Sequence, residues 1–233
     1  MKNIEITWLG HSAFKIKIGN QNLLIDPWLK DNPMFPNNKI KDILSDVNYI
    51  LLSHSHEDHF SDVIDLTENF NIPVIGIYDF VNFLEKNFSM KVIGFNKGGT
   101  LRLGNINLTM VSASHSSSFK FNNLIQYGGS EAGYMIEYKK RTIYFSGDTD
   151  VMADMEIFQE LHNPEIGILS SGGHFTMDMK RVLYASKKYF KFKTLIPCHY
   201  KTFPILEQSA SLLVENLKDV NVIEPKVLEK IIL

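Results

Sequence analysis

The stretch LLSHSHEDHF, residues 51–60, places three histidines and two carboxylates within six positions, directly after an apolar run. His54 and His56 stand two apart at the end of YILLS. In extended backbone, residues i and i+2 project to the same side, so both imidazoles can converge on one ion. Asp58 and His59 follow in the turn, where a carboxylate and an imidazole can complete that site or begin a second. The chain has only 8 histidines in 233 residues, so three in one turn argue for metal ligation over a polar turn with chance histidines.

Working outward, strand candidates IEITWLG, AFKIKI, NLLID and VNYILLS precede the cluster, separated by Gly, Asn or Pro. Asn20 to Asn22 has hairpin-turn composition. After the cluster, Ser61 is the expected N-cap of a helix over DVIDLTENF, PVIGI reads as a buried strand, and Asp79 is the expected cap of DFVNFLEKNF. A second β-rich stretch covers KVIGF, TLRLG, INLTMVSAS, AGYMIEY and RTIYFSG. The last third alternates helix and strand patterns: VMADMEIFQELH, IGILSS, DMKRVLYASKKYF, KTLIPCH and ILEQSASLLVENL, then VNVIEP and VLEKIIL. Strand-heavy runs with βα units in both halves predict an α/β (or α+β) architecture of helix-covered sheets. Residues 1–233 read as one domain, because no Pro/Gly/Ser-rich or charged linker divides them.

The formal net charge of −2, from 24 basic and 26 acidic residues spread along the chain, gives no electrostatic footprint for nucleic acid or an anionic membrane. The opening MKNIEITWLG has no apolar signal core, and no apolar run approaches about 18 residues, so a cytoplasmic protein without membrane contact is expected. Cys198 is the only cysteine, which excludes an intrachain disulfide and fits a reducing compartment.

A single turn rarely completes a metal site. His115 follows INLTMVSAS, Asp148 follows TIYFSG and His199 follows KTLIPC, each at the downstream end of a strand-like run. Strand ends of a shared sheet are neighbours in space, so these residues can join the turn at one edge. Singly, His115 and His199 fit structural hydrogen bonding and Asp148 fits a helix cap; jointly they fit ligation.

These residues carry a resemblance. SHSHEDH resembles the H-x-H-x-D-H signature of the metallo-β-lactamase superfamily. ITWLGHSAFKI with LLIDPWL, SASHSSS, TIYFSGDTD, GGHFTM and IPCHYKTFP are similar to the motifs of a branch described as metal-dependent hydrolases, from residue 4 to about residue 205. The resemblance implies a four-layer αββα sandwich with a dinuclear metal site at one edge. It also implies that His54, His56 and His115 hold one metal, Asp58, His59 and His199 the other, and that Asp148 bridges them. Three neutral imidazoles suit Zn²⁺, while the second set has more oxygen character, so two divalent ions are expected, Zn²⁺ first, with Mn²⁺, Fe²⁺ or Ni²⁺ as alternatives. Water bound to such a pair has its pKa lowered toward about 7 and becomes a nucleophile. The expected reaction is hydrolysis of an ester, lactone, amide or phosphodiester bond in a small-molecule substrate, with Asp58 also orienting the hydroxide.

Two further histidines are candidates for catalysis. His174, in SSGGHFTM, is expected to contact substrate or protonate a leaving group. His11, in WLGHSAF, is either a site residue or a structural hydrogen-bonding one. Ser116 to Ser118 read as turn residues or hydrogen-bond donors behind the ligands. FKFNNLIQYGGS, residues 119–130, has exposed-loop composition and is a candidate lid or oligomer contact. Cys198 reads as a small buried residue, and His162 as an ordinary residue at a helix C-terminus. Competing readings are a nuclease, which lacks a basic stripe here, a di-iron redox protein, which the His at position 56 disfavours, and a non-catalytic metal-binding protein. A homo-oligomer is compatible with the composition.

Overall fold

The structure, a computed structural model, describes residues 4–233; the first three positions of the expected domain lie outside the described residues. Six strands open the chain: β1 (Ile4–Gly10), β2 (Ala13–Ile18), β3 (Gln21–Ile25), β4 (Tyr49–Leu51), β5 (Val74–Ile77) and β6 (Val92–Phe95) lie side by side in that order. The first three are antiparallel; β3 to β6 are parallel, joined by crossovers that carry α1 (Ile40–Leu44), α2 (Glu57–Phe60), α3 (Val63–Phe70) and α4 (Tyr78–Phe88). The amphipathic spacing explains the helices. Val63, Leu66 and Thr67 of α3, and Phe80, Val81 and Leu84 of α4, are buried at intervals that mark one helical face.

The second half repeats the plan. Here β7 (Thr100–Leu103), β8 (Ile106–Ser112), β11 (Ala132–Tyr138) and β12 (Arg141–Phe145) are antiparallel, while β9 (Ser118–Phe121) and β10 (Leu124–Tyr127) form a separate ribbon. Parallel strands β13 (Ile166–Ser170), β14 (Thr194–Cys198) and β15 (Asn221–Val222) complete the sheet, with α5 (Asp154–His162), α6 (Met179–Lys188) and α7 (Ser211–Asn216) between them. Finally β16 (Lys230–Ile232) returns to pair antiparallel with β1. The two sheets face each other across one core, in which Phe14 of β2 meets Phe145 of β12 edge to face and Phe95 stacks on Tyr134. This is the four-layer αββα sandwich, with helices on the outer faces. No helix among the described residues is long and apolar enough to cross a membrane.

Local expectations shift in five places. Ser61 is the C-cap of α2, not an N-cap, and Asp62 precedes α3 with its carboxylate turned to the Leu29 and Lys30 amides at 2.5 and 2.9 Å. A tertiary partner has taken the group that local capping would use. Asp79 lies inside the first turn of α4, one residue after its start. The hairpin reversal falls at Gly19 and Asn20, with Gln21 and Asn22 already in β3, because Gly19 supplies the positive φ of +61° that the turn needs. KVIGF supplies the edge strand of the first sheet, not the second. Residues 119–130 are no loop: they contain most of the β9–β10 ribbon, anchored by Phe119 and Phe121 against Phe80, Phe83 and Phe88, with Ile125 and Tyr127 exposed.

Candidate metal centre

Strand ends and one turn deliver the seven predicted ligands to the same edge. The end of β4 runs into His54 and His56, α2 carries Asp58 and His59, and β8, β12 and β14 end just before His115, Asp148 and His199. Cross-sheet bonds fasten this edge: Ala132 N–H donates to Ser53 O at 2.9 Å, His199 N–H to His11 O at 2.9 Å, and Tyr134 O–H to Leu52 O at 2.6 Å. Both His11 and His199 hold left-handed backbone, φ +54° and +57°, a conformation uncommon for a residue with a side chain. Gly172 makes room behind His199, since a Cβ there would lie 2.3 Å from the His199 carbonyl oxygen.

Three overlapping sets of donor atoms converge here, and two of them, leaving aside that of Asp26, His54 and His59, flank one carboxylate. His54, His56 and His115 present nitrogens within 4.8 Å of one another, as do the donors of His11, Asp58, His59 and His199. Between the groups, Asp148 Oδ2 lies 3.1 Å from His199 Nε2, 3.3 Å from His59 Nε2 and 3.7 Å from His115 Nε2. All seven predicted ligands are thus brought together.

Groups outside this set fix which nitrogens face inward. Asp26, at the end of β3, is fully buried and accepts the Ser53 N–H at 2.7 Å, the Ser53 O–H at 2.6 Å and His59 Nδ1–H at 2.9 Å. A carboxylate only accepts, so His59 carries a proton on Nδ1, and a cation that displaces the second proton would meet the Nε2 lone pair facing the centre. The Ser53 hydroxyl has spent its proton on Asp26, so His54 Nδ1–H donates to Ser53 Oγ at 2.9 Å and Nε2 is again the inward lone pair. That atom lies 2.9 Å from His56 Nδ1. Ser116 Oγ stands 3.3 Å from His56 Nε2, and Ser117 bonds Ser55, the supporting role expected of these serines. Asp26 was not singled out from the sequence, although NLLID ends in an acid at a strand end as the other sites do.

Charge is arranged to match. Burial alone would lower the pKa of His59, but the carboxylates of Asp148, Asp58 and Asp26 outweigh it and hold it well above the ordinary value. Burial would raise Asp148, yet His199 and His59 pull it well below the carboxylate range; Asp58 is lowered against burial by His59 and the His11 hydrogen bond. Burial lowers His54, His56 and His115, and burial with the neighbouring His199 lowers His11 to about 4. Two carboxylates held ionised beside the imidazoles of His54, His56 and His115, which burial disfavours as cations, describe a cation site.

The fit to metal rests on buried atoms without partners. His59 Nε2, Asp148 Oδ1 and both ring nitrogens of His199 are buried and make no aligned hydrogen bond. Leaving such a group unpaired costs on the order of 1–3 kcal/mol, and these four belong to three side chains that meet in one cluster, while the other orphaned atoms are a lone amide oxygen and hydroxyls. Imidazole nitrogens and carboxylate oxygens converging at these separations suit divalent cations.

The two additional histidines part company. His11 is buried against the cluster, with Nε2 3.0 Å from Asp58 Oδ2 and Nδ1 2.8 Å from Thr202 Oγ1. His174 is exposed, packs edge to face on Phe175, and is not brought into the donor cluster. It lines an open cleft of about 800 Å³ with Lys180, Glu207 and Gly172, and a smaller one with Ser114, Asp150 and Arg181. Cys198 is buried, as expected of a small core residue.

Comparison with known proteins agrees with this geometry. The family described as "Beta-lactamase superfamily domain" matches residues 21–216. Proteins named "UPF0173 metal-dependent hydrolase" from Dinoroseobacter shibae and Paracoccus denitrificans are 50% and 51% identical over 228 residues, 98% of this chain and 99% of each relative. Igni18, a metallo hydrolase from the archaeon Ignicoccus hospitalis, is 27% identical with a TM-score of 0.85, covering 99% of this chain and 98% of its own. An isothiocyanate hydrolase from Delia radicum gut bacteria shares the fold at 17% identity, with a TM-score of 0.79 over 97% and 98% of the two chains. With a gathered His/Asp centre at the sheet edge and matches spanning nearly its whole length, the chain belongs to the β-lactamase superfamily, in its UPF0173 metal-dependent hydrolase family.

Proposed function

We propose that this protein hydrolyses a small-molecule ester, lactone, amide or phosphodiester at a dinuclear centre. His54, His56 and His115 hold one divalent ion, Asp58, His59 and His199 the other, and Asp148 is shared. The observation that carries this reading is the position of Asp148 Oδ2, within 3.1 to 3.7 Å of imidazole nitrogens from both groups. When bound, the ions supply Lewis acidity and an acidified water. Zn²⁺ suits the three-imidazole group best, with Mn²⁺, Fe²⁺ or Ni²⁺ acceptable at the group containing Asp58.

The chain's own groups do the rest. Asp26 and Ser53 keep the His59 and His54 rings turned inward. The Asp58 side chain is 34% exposed, so it reaches the mouth of the site and orients the attacking water while His11 holds one of its oxygens. His174, which lines a cleft with Ser114 and Asp150, neighbours in sequence of His115 and Asp148, contacts the substrate or its leaving group. The even charge balance favours a small substrate over nucleic acid or membrane. Assay of the purified chain on nitrophenyl esters, lactones and bis(nitrophenyl) phosphate, before and after chelation, tests the reading. Turnover should vanish with the metal and return on its addition; hydrolysis that survives complete metal removal refutes it.

A further inference from the structure

We propose that His11 is the positioning residue of Asp58: a hydrogen-bond donor, its ring oriented by Thr202, that strengthens ion binding at the Asp58 side of the centre without itself being a ligand. The inference rests on the assignment of Asp58 above.

His11 is built in from every direction. Its carbonyl oxygen accepts Trp8 Nε1–H at 2.8 Å and His199 N–H at 2.9 Å, which holds the left-handed backbone at φ +54°. Its ring is 1% exposed, with Trp28 edge-on at 5.2 Å, Phe203 at 6.0 Å and the His199 ring 3.8 Å away between centroids. A side chain boxed this closely has one orientation. That orientation presents Nε2 to Asp58 Oδ2 at 3.0 Å and Nδ1 to Thr202 Oγ1 at 2.8 Å.

Proton counting assigns the roles. An ionised carboxylate has nothing to donate, so the short contact to Asp58 requires a proton on His11 Nε2. The neutral ring then has its lone pair at Nδ1, and the Thr202 hydroxyl donates to it. Thr202 has two other acceptors within reach, the Tyr200 carbonyl oxygen at 3.3 Å and Met34 Sδ at 3.4 Å, and both are longer. The chain Thr202 to His11 to Asp58 therefore satisfies every atom it uses. A ligand role would instead leave Nε2 bare, so the position of the ring proton separates the two roles for a residue whose donor atom lies among those of Asp58, His59 and His199.

The test compares Zn²⁺ affinity and stoichiometry, by competition with a chromophoric chelator, for the full-length wild type, Asp58→Asn, His11→Ala, His11→Gln and Thr202→Val. Asp58→Asn and His11→Ala should weaken the same ion, His11→Ala by about 10- to 100-fold, as loss of a partner behind a ligand does. His11→Gln, which still offers an N–H toward Asp58, should recover most of that loss, and Thr202→Val should show a smaller one. ¹⁵N NMR of the Zn²⁺-loaded wild type should place the His11 proton on Nε2. If Asp58→Asn weakens Zn²⁺ binding and His11→Ala does not, His11 only packs and the proposal fails while the assignment of Asp58 stands. A His11 ring without a proton on Nε2, with His11→Gln as weak as His11→Ala, makes it a ligand and overturns the proposal. Unchanged binding in Asp58→Asn defeats the Asp58 assignment, and the inference falls with it. Should His11→Ala fail to fold, His11→Gln, Thr202→Val and the NMR tautomer decide.

Discussion

The cluster of His54, His56 and His115 and the cluster of Asp58, His59 and His199 flank one carboxylate, yet protein and solvent surround them in opposite ways. In the first, His56 and His115 are half-buried and all three donors are imidazoles held neutral by burial. In the second, His59 and His199 are fully buried, one carboxylate contributes charge, and Asp26, His11 and Thr202 brace the donors from behind. A neutral, half-open group binds through lone pairs alone. A charged group whose two imidazoles are fully buried needs exact orientation to make that burial worthwhile, which is why the supporting hydrogen bonds collect there, while Asp58 itself is partly exposed.

Asp148 belongs to both sides, so replacing it erases the contrast and carries the largest effect. Asp148→Asn should lower kcat/KM by more than about 100-fold, beyond the usual range for supporting residues, and should reduce bound metal measured by mass spectrometry at both positions. Full metal content with high activity would mean that the two clusters work without it. Next comes Asp26, which touches His59 directly and His54 through Ser53. Asp26→Ala strands the His59 Nδ1–H and two Ser53 donors, so metal affinity should fall about 10- to 100-fold and the melting temperature with it. Ser116→Ala, which touches only His56, should cost far less.

How much of this was legible in the sequence follows the same division. The 54–59 turn declares itself because its ligands are contiguous, and the strand-end rule found His115, Asp148 and His199 because each follows an apolar run. The α/β class was readable because helical and strand periodicities alternate in both halves, whereas the four layers came from the resemblance of the motifs. Supporting groups were not. Asp26 and Thr202 matter only through partners 33 and 191 residues away, and neither has a local pattern to mark that. Ser61, the expected N-cap, ends α2 instead, and Asp62, read as the first helical residue, precedes α3 with its carboxylate on the distant Leu29 amide, which no local pattern marks. The ribbon over residues 118–127 looked like a loop because its inward anchors, Phe119 and Phe121, are outnumbered by exposed residues.

Smaller effects sharpen the comparison further. Ions that bind the native chain alone stabilise it, by about 2.7 kcal/mol at 100 times Kd, so chelation should lower the melting temperature by several degrees. In the chelated protein, the folded-state pKa of His11 is about 4 against an ordinary 6.5, so unfolding takes up a proton between those values. Stability should therefore fall as pH drops from about 6.5 toward 4, as His54, His56 and His115 also require, while the contribution of His59 is complete below about 6.5 and is lost only as pH rises above it. The decline should be shallower in His11→Gln, measured by urea unfolding; an equal slope would show that His11 is not neutral in the fold. Least of all, Cys198, whose thiol burial pushes well above its ordinary pKa, should ignore a thiol reagent at pH 8 until the chain unfolds.

The most direct measurement is a crystal structure of the Zn²⁺-loaded protein with anomalous difference maps recorded at the zinc edge. The account predicts two peaks per chain, one among His54, His56 and His115 and one among Asp58, His59 and His199, with the Asp148 carboxylate between them. A single peak, or peaks away from these side chains, would contradict it.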